Sequence, residues 1–353
     1  LQLIALFIVG VTPQLVNYLP NRVSFLSETA PPPRNPKLQY CLEKFVGEEL
    51  EANGATLAAI KAAQGLDLGA LPKNIAKDLA GGFAGAEAGV AALQAAFAAE
   101  AEVDAAAPVY RPQLAVVRNI QKQIREAEAK AKDISRQLGR ARGDDHEAGR
   151  PALEAEIAGY KTEAERLKAE IPETWADAYK TFSVLTKTED KARATYRRQA
   201  DKSWESAETV LAMLDATPAM AALGDKLRDL RADVETGDPE VSEGLVNDLT
   251  REFRDVAGSD DVESALSKVR RELKSSSPDI DKALAEYDKA ISAYDAQMVW
   301  RAAAETDIRA GLVAFLDGIR GTLGARSQRD LNRKQALYLA ACTAGHQDLS
   351  LHF

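Results

Sequence analysis

The pattern of hydrophobic and polar positions has one sustained period. From Arg111 to Pro172, apolar or small residues alternate in steps of three and four: Val117, Ile120, Ile124, Ala127, Ala131, Ile134, Leu138 and Ala141, then Leu153, Ile157, Tyr160, Ala164, Leu167 and Ile171. This is heptad spacing, and it predicts two helices packed as an antiparallel coiled-coil hairpin. Antiparallel pairing requires every step forward on one arm to be matched by a step back on the other. One register does this with compatible volumes: Ile120 faces Ile171, Ile124 Leu167, Ala127 Ala164, Ala131 Tyr160, Ile134 Ile157 and Leu138 Leu153. The small Ala131 opposes the one large ring, and Lys130 comes near Glu163 on the flank. Pro108 and Pro112 before the first arm and Pro172 after the second predict helix ends at matching heights. Gly139, Gly143, Asp144, Asp145, Gly149 and Pro151 read as the tip, and each arm spans roughly 35 Å.

The flanking patterns are shorter. Leu1 to Leu19 is the most apolar run and carries no charge; it predicts a membrane-anchor helix over residues 1–20, with a buried core helix and an uncleaved signal segment as competing readings. Ala30 to Pro36 (APPPRNP) cannot hold a helix, so residues 21–36 read as a semi-rigid spacer. Residues 37–110 form an N-terminal helical segment, with helices over about 37–53 and 55–64. Its stretch from Leu79 to Ala99 is nearly all alanine and glycine. Gly81, Gly85 and Gly89 share a face and predict close approach of a neighbouring backbone, with a second, weakly apolar membrane span as the alternative. Residues 173–345 read as the helical body. A helix to about Asp215 carries Trp175, Phe182, Tyr196 and Leu214; starts follow at Thr217, Asp238 and Ser259; a long helix runs from about Ile280 to Ile319, and a last one from Gln328 to Ala344. Residues 346–353 are a tail.

Composition supports the helical reading. Aromatic residues are only 6% of the chain, and no alternating valine-rich run suggests a strand. The fold class expected is therefore all-α: a helical bundle body with a projecting hairpin and an apolar N-terminal helix. The net charge of -9 argues against a nucleic-acid partner, which needs clustered cations. Cys41 and Cys342 stand at opposite ends in no metal or redox spacing; two unpaired structural thiols are the expectation, with a disulfide as the alternative if the fold brings the termini together.

Candidate chemistry is sparse. The hairpin tip gathers Arg140, Arg142, Asp144, Asp145, His146, Glu147 and Arg150, and this polar cluster is the expected partner-contact site. Its acidic residues and histidine resemble a metal set, but an exposed glycine-flanked turn lacks the supporting shell that holds ligands in place. Arg142-Gly143-Asp144 matches a cell-adhesion tripeptide too short to carry weight. With no nucleophile elbow, phosphate loop or metal spacing, no catalytic residue, cofactor or metal is expected. The sequence thus reads as a non-enzymatic, membrane-anchored assembly subunit whose partners are other protein subunits and, through the N-terminal helix, lipid. A helical pore-forming or membrane-active component is the alternative.

Overall fold

A computed structural model describes residues 25–27, 29–34, 36–140 and 144–342, with the backbone alone for residues 36, 37 and 144–148. The apolar run Leu1–Leu19, residues 141–143 of the tip, and the tail from His346 lie outside the described residues. What is described is all-α and contains no strand. The helices are α1 (Pro36–Ala52), α2 (Ala55–Gln64), α3 (Lys73–Arg140), α4 (Asp144–Ala169), α5 (Trp175–Asp215), α6 (Thr217–Ala222), α7 (Gly224–Thr236), α8 (Pro239–Arg254), α9 (Asp260–Leu273), α10 (Ile280–Asp307), α11 (Arg309–Ile319) and α12 (Arg333–Ala341), with a 3₁₀ turn at Leu323–Arg326.

The chain divides into two compact units, Leu1–Ala92 with Thr195–Thr343 and Leu93–Ala194 with Ala344–Phe353. In the first unit, α6 to α10 close over Met220, Leu227, Val246, Leu249, Phe253, Leu266 and Tyr287. α11 packs on α2, where Thr56 Oγ1 donates to the Gly318 carbonyl at 3.0 Å, and on α3 through Phe83 and Phe315, 4.9 Å apart edge to face. The fully buried Arg301 has no ion pair among the described residues. Its guanidinium donates to the carbonyls of Met213, near the end of α5, and of Ala257, just past α8, the latter at 2.7 Å. A cation at two helix C-termini compensates orphan carbonyls and the negative dipole end. Gly258 takes a φ of +78° there, and a side chain at that position would collide with Arg301 and Met213.

Several expectations change. The first arm does not begin after the prolines, because α3 runs unbroken through Pro108 and Pro112. Both face solvent, where water can take up the carbonyls they leave unbonded, while Ala107, Tyr110 and Leu114 hold the buried stripe. The tip is tighter than expected: helix continues to Arg140 and resumes at Asp144, so Gly149 and Pro151 are helical. The long helix toward Ile319 breaks at Ile308, whose φ of -117° leaves helical geometry although the side chain stays buried. The helix opened by Thr217 is likewise two, divided at Leu223. Ser259 Oγ bonds the Phe253 carbonyl instead of capping α9. The proline stretch does not stand clear of the protein: Ala30 is buried, and its carbonyl accepts from Leu331 N–H at 2.7 Å. Gly82 and Gly85 of α3 lie against Ser206 and Gln199 of α5, so close that a β-carbon at Gly82 would overlap the Ser206 side chain. α3 nonetheless contains a stretch long and apolar enough to cross a membrane, and half of that stretch is buried within the protein.

The two cysteines are not free thiols: Cys41 of α1 and Cys342 after α12 form a disulfide. Spacing in sequence carried no hint of it, because the pair is made by the docking of α12 on α1.

Candidate interaction surface

The second unit is built on α3, with α4 and the first part of α5 packed against it in series. Toward the tip, Ile120, Ile124 and Ala127 meet Ala164 and Leu167, with Tyr160 and Ile171 partly buried alongside. Burial fades outward along these arms. Ala127, Ala131 and Ala164 are buried, whereas Ile134, Leu138, Leu153 and Ile157 are only half-buried. Lys130 does not reach Glu163. Its ammonium lies over the Tyr160 ring at 5.5 Å, while Glu163 is held by Arg166 at 2.6 Å, a bond that lowers the pKa of that carboxyl. Lys168 reaches across to Glu128 at 3.1 Å.

Farther from the tip, α5 takes over from α4. Tyr110 stacks on Phe182 with centroids 3.9 Å apart and on Trp175 at 5.6 Å. Burial, with Tyr179 nearby, pushes the Tyr110 hydroxyl above the ordinary tyrosine range. Beyond this stack the contact stripe becomes charged. Arg193 is buried and bonds Glu189 at 2.7 Å and Glu100 at 2.8 Å, with its guanidinium 5.8 Å from the Phe97 ring. The apolar stripe expected for this helix, through Phe182 and Tyr196, does not include this cluster, because its members are charged. The available signal was the heptad spacing of Glu189, Arg193 and Tyr196 themselves.

The outward face of α3 is different. Arg111, Arg118, Arg125 and Lys132 recur once per heptad, which places them in one line, and Lys122 and Arg136 fall beside that line. Arg111, Arg125 and Lys132 are exposed and make no ion pair among the described residues; Lys122 pairs with Glu126 at 3.8 Å, and Arg136 bonds Asp133 directly, both on their own helix. Next to the aromatic stack, Ala106, Val109, Gln113, Ala178, Thr181 and Leu185 line a shallow uncharged groove of about 230 Å³. Val109 is 69% exposed and Val116 55%; each stands two residues before a cation of the line, so this uncovered apolar surface lies on a different side of α3 from the cations.

Of the expected tip residues, Arg140 is exposed at the end of α3 and Arg150 is exposed in the second turn of α4, where it pairs with Glu154 at 3.6 Å. Asp144 and Asp145 begin α4, followed by His146 and Glu147, with side chains outside the described residues; Arg142 lies outside them altogether. Among the described residues, no group of three or more His, Cys, Asp or Glu side chains is placed to hold a metal ion. No family model, curated protein or solved structure matches the chain.

Proposed function

We propose that this chain is a non-enzymatic assembly subunit of a membrane-associated complex, and that its helical hairpin, acting as an antiparallel coiled coil, binds a partner protein. The observation that carries this reading is the outer face of α3 in the second unit. Its inward stripe is occupied by α4 and α5, while its solvent side carries a line of cations at heptad spacing, of which Arg111, Arg125 and Lys132 are exposed and make no ion pair among the described residues. A repeat of that period matches another α-helix bearing carboxylates at the same spacing, since a helical partner returns the same face at the same rise. The tip from Arg140 to Arg150 extends the contact.

Two alterations of the full chain test this reading. Deleting Gly139 to Arg150 with the arms shortened by whole heptads is expected to weaken co-purification of the partner while the circular dichroism of the body is kept. Reversing Arg118, Arg125 and Lys132 to glutamate is expected to reduce recovery at least tenfold at low salt. Unchanged recovery from both variants rejects the reading.

The apolar stretch within α3 supports a second reading, a membrane-active component that inserts on assembly. Dye release from liposomes separates the two, because a subunit that only binds leaves the vesicles sealed.

A further inference from the structure

The chain contains two cysteines, and the fold brings them together from positions 301 residues apart. Their meeting is prepared by contacts that do not depend on the bond. Phe45 and Tyr338 pack edge to face at 5.3 Å, the Tyr338 hydroxyl donates to Glu48 at 2.6 Å, and Lys334 pairs with Glu49. The α-carbons of Cys41 and Cys342 are thereby held 5.9 Å apart, inside the range that a disulfide requires. Cys41 is completely buried and Cys342 half-buried.

We infer that this pair is closed by oxidation as the chain folds, in a compartment outside the reducing cytosol, and that the bond is a covalent latch holding α12 on α1. Buried structural disulfides persist where glutathione and thioredoxin do not keep thiols reduced. Closure breaks two S–H bonds and makes one S–S bond. The two protons and two electrons pass to the disulfide of a thiol–disulfide exchange catalyst, which leaves as a dithiol. Cys342 is the thiol such a catalyst reaches: its thiolate attacks to form a mixed disulfide, and Cys41 displaces the catalyst. Burial of Cys41 then shields the bond from reductants. Taken with the membrane reading, the inference places the described body on the oxidising side of the membrane, but oxidation itself does not depend on that reading.

The test quenches cells expressing the full chain with acid and then alkylates with a maleimide-polyethylene glycol, with and without prior reduction in denaturant. The expected result is no addition without reduction and two after it; two additions without reduction overturn the inference. The latch is read separately by limited proteolysis of purified protein. Reduction is expected to raise cleavage between Ser327 and Ala341 at least fivefold, and equal cleavage overturns it. In Cys41→Ser, the Cys342 mixed disulfide is expected to accumulate as a species that reductant collapses on a non-reducing gel; its accumulation in Cys342→Ser instead overturns the assigned order. Failures are distinguishable: an oxidised chain that retains no partner rejects the assembly reading alone, and a reduced chain that retains its partner rejects this inference alone.

Discussion

Arg301 shows how a single side chain holds separate parts of one unit. Burial lowers its pKa, yet the guanidinium sits between backbone carbonyls in place of a carboxylate. Arg301→Met keeps much of the volume and strands both acceptors, so it is expected to cost about 2–4 kcal/mol, measured by urea unfolding. Tyr196 is the opposite case: it is fully buried and its hydroxyl has no partner among the described residues. Tyr196→Phe removes an unsatisfied group and is expected to raise stability by about 1 kcal/mol in the same assay. Burial drives the pKa of both Tyr196 and Tyr287 upward from 10.0. A phenol held neutral in the folded state contributes stability below its unfolded value and loses it as pH rises past that value toward the folded one. The urea midpoint is therefore expected to fall above about pH 10. Tyrosinate absorbance should appear together with unfolding, and tyrosinate appearing earlier in the folded protein would contradict this burial effect.

At the scale of elements, the same residue type has opposite consequences on two helices. A β-carbon at Gly82 meets Ser206 of α5, whereas one at Gly159 of α4 meets nothing. Gly82→Ala is expected to lower the melting temperature. Gly159→Ala is expected to raise it, through a helix propensity gain of about 1 kcal/mol. Much of this architecture was legible in the chain. The heptad spacing of Ile120, Ile124 and Ala127 carries the helices, and Asp238-Pro239 marks the start of α8 with its capping side chain in place. Pro108 and Pro112 misled because proline signals a lost hydrogen bond but not whether the helix gains enough elsewhere to absorb the loss. The stack of Tyr110 on Phe182 and Trp175 secures the same part of α3 that the prolines interrupt. Arg193 was hidden for a related reason: a charge in a buried stripe is tolerable only with partners on other turns or helices, here Glu189 and Glu100, and no local pattern reveals them.

For the whole molecule, the Cys41–Cys342 bond closes most of the chain into one loop. Replacing both cysteines by alanine is expected to cost about 2–4 kcal/mol of unfolding free energy, chiefly by freeing the unfolded chain. Equal urea midpoints for the parent and the double variant would show that the contacts around Phe45 and Tyr338 suffice. By itself the sequence determined the all-α class, the heptad stripe and the line of cations on α3, because those follow from helical period and side-chain chemistry along one segment. Only the tertiary structure decided that α3 is continuous, that Arg301 joins two helix ends, and that the cysteines meet. Each depends on groups far apart in the chain, whose proximity is set by packing and leaves no periodic trace in the order of residues.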